Sequence, residues 1–142
     1  VTVPDQIAAC VKRVMEQHGT IDVLVNNAGL QYVCPIDSYP LDKWNQLLAV
    51  LLTAPFLFTQ AVLPGMRAAG WGRIVNMSSA VALHGNAGQT VYAATKSGLV
   101  GLTKTLAREW GPFKVNVNAV AFGFVETRLT APADSGELCC VA

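Results

Sequence analysis

Three short apolar runs, separated from one another by long helical patterns, constrain this chain more than any other feature. Ile21-Asp-Val-Leu-Val25, Arg73-Ile-Val-Asn-Met77 and Lys114-Val-Asn-Val-Asn-Ala-Val120 are rich in β-branched residues. Each reads as a buried strand. A first helix opens at Thr2-Val-Pro4-Asp5, carries Ile7, Cys10, Val11, Val14 and Met15 at helical spacing, and stops at His18-Gly19. A second runs from Pro40 to about Ala69, with an interruption or bend expected near Pro55. A third runs from about Thr90 to Trp110 and ends at Gly111-Pro112. The order α-β-α-β-α-β implies an α/β fold with parallel strands and right-handed crossovers.

Composition narrows the function classes. Of 142 residues, 52% are hydrophobic and 13% charged, which suits one domain, or part of one, with strands buried on both faces. A net charge of +1 without a basic stripe argues against nucleic acid as a partner. Cys10, Cys34, Cys139 and Cys140 show no metal-ligand spacing. They read as free thiols, which suggests a reducing, cytoplasmic location and no metal. The first residues are polar and lack the basic start of a signal peptide. Leu47 to Met66 is apolar enough to suggest a membrane span. Thr53, Pro55, Thr59, Gln60 and Pro64 interrupt it, and a buried core helix is predicted, with no membrane partner.

The chemistry concentrates between Ser79 and Lys96. Tyr92 and Lys96 are four apart, so a helix from Val91 onward puts them on one face, one turn apart. Ser79 sits at the end of the run Arg73-Ile-Val-Asn-Met-Ser-Ser79 that contains the second strand. A strand end, a loop and a helix start therefore bring a hydroxyl, a phenol and an ammonium together. A phenol beside a fixed cation is a proton donor, because the cation favours the phenolate. Asn26-Asn-Ala-Gly29 and Phe122-Gly123-Phe-Val-Glu-Thr127 follow the other two strands. Ligands of open α/β sheets bind at such carboxyl ends. His84 reads as an exposed or packing residue. Asn76 and Asn118 flank strands and are expected to satisfy backbone groups. Trp44, Trp71 and Trp110 read as packing anchors near helix ends.

With these pieces in order, residues 5 to 130 resemble the short-chain dehydrogenase/reductase family. The resemblance rests on Asn26-Asn-Ala-Gly29, Ser79, Tyr92-x-x-x-Lys96 and Gly123-x-x-x-Thr127, each on the matching element. Gly85-Asn-Ala-Gly-Gln89 and Gly101-Leu-Thr-Lys-Thr-Leu-Ala-Arg-Glu109 make it most similar to the 3-oxoacyl-[acyl-carrier-protein] reductases. The resemblance implies a Rossmann-type doubly wound parallel sheet, here only in part, over residues 1–131, with a divergent tail over 132–142. It implies NADP or NAD as cofactor and a ketone such as a 3-oxoacyl thioester as substrate. Tyr92 would be the general acid. Lys96 would hold ribose hydroxyls and favour the phenolate, and Ser79 would hydrogen-bond the substrate oxygen. Asn27, Ala28, Gly29, Gly123, Val125 and Thr127 would line the cofactor, together with Tyr92 and Lys96. Gln31 and Gln89 would face the substrate. Gln31 also resembles a glutamine that meets the substrate carboxylate in 3-hydroxybutyrate dehydrogenases of the family. The two long helices would build a homodimer or homotetramer interface.

Four departures accompany the resemblance. No Gly-x-x-x-Gly-x-Gly turn is present, so the chain is expected to start after the family's third strand. Leu51 stands where the family usually has an asparagine that supports a water-linked proton relay. Phe122 replaces a usual proline before Gly123. The chain is read as stopping shortly after Thr127, where the family's substrate lid is expected, and Ala133 to Ala142 shows no family pattern. Three functions are thus open: a 3-oxoacyl-type reductase, a 3-hydroxybutyrate-type dehydrogenase, or a catalytically silent chain that associates through its helices.

Overall fold

The computed structural model describes residues 1–125. Thr127, the tail over 132–142, Cys139 and Cys140 lie outside the described residues. Helix α1 (Pro4–His18) has proline in its first turn, and Gly19 closes it in the left-handed region, its N–H bonded to the Met15 carbonyl. Strand β1 is Val23–Asn26, β2 is Gly72–Met77 and β3 is Val115–Val120. They form one parallel sheet in the order β1-β2-β3, with Asn26 beside Asn76 and Asn76 beside Ala119. The parallel, contiguous arrangement follows the sequence expectation.

The long helical run between β1 and β2 is more structured than predicted. Helix α2 (Leu41–Leu48) passes into a π-helical segment at Ala49–Thr53 and then into α3 (Ala54–Ala69). The irregularity thus lies one turn before Pro55, which sits in the first turn of α3. A proline there has no N–H to give, and the wider turn before it absorbs the change in hydrogen bonding. The 29-residue run Leu41–Ala69 is long and apolar enough to cross a membrane by length and composition. It buries Leu47, Leu51, Ala54, Val62, Leu63 and Met66, and is a core helix of this fold.

One face of the sheet is covered and the other open. Leu24, Ile74, Val115 and Val117 pack under Val62, Leu63 and Met66 of α3 and Leu106 and Trp110 of α5 (Thr90–Trp110). Gly72 lets β2 approach α3. A Cβ there would lie 2.6 Å from Met66 Sδ. On the opposite face Val23 and Val25 are each 53% exposed, and Asn116 and Asn118 face outward. Strands buried on both faces were expected from composition. Among the described residues every helix that reaches the sheet lies on one side of it, which leaves the alternate residues bare.

A buried polar chain crosses the covered face. Asn26 Nδ2 donates to Asn76 Oδ1 at 2.8 Å, Asn76 Nδ2 to Thr103 Oγ1 at 2.9 Å, and Thr103 Oγ1 to the Leu99 carbonyl at 2.7 Å. Asn76 therefore does not flank its strand or serve the backbone, as its sequence position suggested. It sits inside β2, fully buried, and pins β1 and β2 to α5. Asn118 is exposed instead.

Candidate active site

The carboxyl ends of the three strands open on one cavity of about 770 Å³. Each wall comes from a loop that follows a strand. Asn27, Gly29 and Gln31 follow β1, Ser79 follows β2, and Gly123 and Val125 follow β3. Gln89, which caps the start of α5, and Tyr92 and Lys96 of its first two turns complete the lining. Ala28 lines a smaller neighbouring cavity of about 210 Å³ beside β1, together with Asn27.

Backbone hydrogen bonds fix the strand end. The Ser78 N–H donates to the Val120 carbonyl at 2.8 Å, and Ser78 Oγ donates to the Lys96 carbonyl at 3.0 Å. Ser79 then turns the chain into a short helix, α4 (Val81–His84), which sequence reading missed. The serine before an apolar run was its signal. Ser79 Oγ accepts the Val81 N–H at 3.2 Å. That bond occupies a lone pair and leaves the Ser79 hydroxyl proton to donate into the cavity. Ser97 Oγ donates to the Ala82 carbonyl at 2.8 Å and ties α4 to α5.

Tyr92 and Lys96 occupy successive turns of α5. The Lys96 ammonium lies 5.4 Å from the Tyr92 ring centroid and donates to the Met77 carbonyl at 2.5 Å. Lys96 is only 6% exposed. Burial lowers its pKa to about 8, because the charged form loses water. The Met77 carbonyl opposes that loss by solvating the ammonium. The Tyr92 ring packs on Leu47, Val50, Leu51 and Val91. Leu51 is fully buried in the π-helical segment, and its Cδ2 lies 3.8 Å from where a Cβ on Gly29 would stand. The side chains of Leu47, Val50, Leu51 and Val91 that pack against Tyr92 are all apolar.

Some cavity residues carried no functional signal in the sequence. His84, Asn86, Phe122 and Phe124 also line it. His84 Nδ1 lies 2.7 Å from the Gly85 carbonyl. Phe124 is 84% exposed, a large apolar ring at the cavity mouth. Only the loop's position after β3 pointed to the two phenylalanines. Among the described residues no three His, Cys, Asp or Glu side chains converge as a metal-binding set.

Comparison with known proteins places this geometry. Residues 1–138 match the family described as short chain dehydrogenase. The chain is 45% identical to the 3-oxoacyl-[acyl-carrier-protein] reductase FabG of Thermotoga maritima, over 92% of this chain and 53% of that protein. It is 40% identical to a D-beta-hydroxybutyrate dehydrogenase of Rhizobium meliloti, over 90% of this chain and 50% of that protein. A gluconate 5-dehydrogenase of Burkholderia cenocepacia, solved in complex with NADP and tartrate, superposes with a TM-score of 0.88 at 35% identity. That superposition covers 92% of this chain and 51% of the other. The chain thus spans about half the length of the relatives it matches. By sequence match and by fold, it belongs to the short-chain dehydrogenase family.

Proposed function

We propose that this protein is an NAD(P)-dependent oxidoreductase that reduces a ketone, a 3-oxoacyl thioester or close analogue, to a secondary alcohol. The observation that carries this reading is the convergence of Ser79, Tyr92 and Lys96 on one cavity at the carboxyl ends of the strands. The donors present fit the nicotinamide–ribose half of the cofactor. Lys96 and Tyr92 offer an ammonium and a phenol to vicinal hydroxyls, and Asn27, Gly29, Gly123 and Val125 wall the same space. Ala28 and Thr127 complete the proposed cofactor set. Among the described residues no glycine-rich turn is present for the pyrophosphate.

When bound, the reduced nicotinamide supplies the hydride. The rest falls to the chain. Ser79 donates its hydroxyl proton as a hydrogen bond to the substrate carbonyl oxygen and polarises it. Tyr92 donates a proton to that oxygen as the carbonyl carbon becomes tetrahedral. The phenolate left behind is stabilised by the Lys96 ammonium. Tyr92 regains a proton from the cavity side, since the side chains of Leu47, Val50, Leu51 and Val91 that pack against it are apolar.

A second reading, a 3-hydroxybutyrate-type dehydrogenase, is favoured by Gln31, whose side chain lines the same cavity. Self-association through α3 and α5 fits both readings, with Phe56 of α3 still 46% exposed. Free thiols at Cys10 and Cys34 fit a reducing compartment such as the cytosol. Titration with NADPH and NADH, followed by nicotinamide fluorescence, tests the cofactor assignment. Saturable enhancement with either nucleotide is expected. No change up to about millimolar nucleotide would leave the family's fold without its cofactor and sink the proposal.

A further inference from the structure

Two successive residues at the end of β2 hold the two ends of the site's lysine. Met77, the last residue of β2, takes the Lys96 ammonium on its carbonyl. Ser78 comes next, and its Oγ donates to the Lys96 backbone carbonyl at 3.0 Å. Both bonds cross from the strand end to α5, and Ser78 and Lys96 are both buried. Ser78 is itself anchored through its N–H, which donates to the Val120 carbonyl of β3 at 2.8 Å.

The Ser78 bond is not one that the helix requires. Lys96 lies inside α5, so its carbonyl is already served by the helical N–H one turn on. Other hydroxyls of α5 bond within the helix: Thr95 Oγ1 donates to the Tyr92 carbonyl at 2.9 Å, and Thr103 Oγ1 to the Leu99 carbonyl at 2.7 Å. Ser78 instead reaches a residue 18 positions away, and it is the one whose ammonium the site uses. A lysine stem is flexible and carries its charge wherever the stem turns. Fixing the ammonium alone would leave α5 free to slide along β2. Fixing the backbone alone would leave the stem free to turn. Together the two bonds hold the ammonium beside Tyr92, 5.4 Å from its ring centroid.

We infer that Ser78 is a positioning residue whose hydroxyl sets the register of α5 on the end of β2, and so keeps the Lys96 ammonium on the Met77 carbonyl and beside Tyr92. Its purpose rests on the oxidoreductase reading, whereas the positioning itself can be read without cofactor or substrate. Small displacements of a reacting group are costly to turnover, which is why such support matters.

Titration of the Lys96 side chain, followed by carbon NMR of the chain labelled with ¹³C-lysine, reads that position. The Lys96 signal is assigned by its loss in Lys96→Met. The other titratable side chains lining the cavity are Tyr92 and His84, and no Asp, Glu or Arg of the described residues lines it. The midpoint, about 8, therefore reports how far the ammonium is withdrawn from water. In Ser78→Ala it is expected to rise toward the ordinary 10.5, by about one pH unit, as the ammonium reaches water. Ser78→Thr keeps the hydroxyl and is expected to stay near 8. Thr103→Val cuts the Asn76–Thr103 tie between β2 and α5, away from the lysine. It is expected to lower the thermal midpoint and leave the Lys96 titration in place. An unmoved midpoint in Ser78→Ala, a rise in Ser78→Thr, or an equal rise in Thr103→Val would overturn the inference. Should Ser78→Ala not fold, Ser78→Cys, a weaker donor of similar size, is read the same way. With a 3-oxoacyl thioester, Ser78→Ala is expected to lower kcat about tenfold with KM little changed. If the unsubstituted chain turns over no ketone, the oxidoreductase reading fails, and the titration still decides on Ser78.

Discussion

The covered face of the sheet and the cavity at its carboxyl ends are built from the same three strands, yet they obey different rules. On the covered face Ile74, Val115 and Val117 meet α3 and α5 with almost no exposed surface. Shape complementarity and apolar burial decide that layer, and any change of volume is felt. At the carboxyl ends of the same strands, the loop after β2 and the start of α5 bring Ser79 and the Tyr92–Lys96 pair to an open cavity. That end carries groups that cost stability, above all a buried ammonium. The fold holds them because the layer beneath is tight enough to carry the loss. Substitutions in the two regions are therefore expected to separate cleanly into effects on turnover and effects on folding.

The sharpest separation comes from Tyr92→Phe. Removing the phenolic proton is expected to lower turnover by about 10²- to 10⁴-fold, with the thermal midpoint nearly unchanged. Steady-state kinetics and a melting curve on the same preparation check both halves of the statement. A loss of stability without loss of turnover would reverse the roles of the two regions. Ile74→Ala attacks the other side. It empties a fully buried site between β2 and α3, and is expected to cost about 2–4 kcal/mol in denaturant unfolding.

Lys96→Met joins the two regions. Its folded pKa of about 8 lies below the ordinary lysine value of 10.5, so between those values the unfolded chain binds more protons than the folded one. Stability of the unsubstituted chain should therefore rise as pH climbs from about 8 to 10.5, and the penalty is fully present below 8. Lys96→Met lacks that dependence and should be more stable at neutral pH by about 1–2 kcal/mol, while losing activity. Parallel urea titrations of the two chains at pH 7 and pH 10 measure the difference. A slope identical in both would mean that Lys96 is not the titrating group.

Leu51→Asn has the smallest expected effect on turnover. An amide placed under Tyr92 restores a polar route to the phenol, so turnover should rise a few-fold. Stability should fall by about 1–3 kcal/mol, since the surrounding side chains are apolar. Turnover that does not rise would remove Leu51 from the account of proton supply.

Much of this division was legible in the chain itself. Strand positions could be read because β-branched runs alternate with helical spacing, and the Tyr92–Lys96 spacing put two groups on one helix face. What escaped was set by three-dimensional neighbours. The π-helical segment at Ala49–Thr53 packs against α5, a contact that no linear pattern announces. Asn76 looked like a strand-end residue, because nothing in a linear sequence announces that Asn26 and Thr103 meet it. The open face was unreadable for a related reason. Hydrophobic strands predict that both faces are covered, but not which residues cover them.

The plain order of the sheet carries a consequence for how the chain reaches its native state. Each strand pairs with the strand that precedes it in the chain, β1 with β2 and β2 with β3, and no later segment is inserted between them. Every long-range pairing therefore closes over a single helical crossover, and none has to wait for residues far downstream. Among the described residues, β2 has its partner strand and the α2–α3 run ahead of it in the chain, and α5 then leads β3 to the outer edge of β2. The loop-closure entropy is met in two separate steps, each rewarded at once by a ladder of backbone hydrogen bonds. A left-to-right order of strand docking is the expectation that this topology carries.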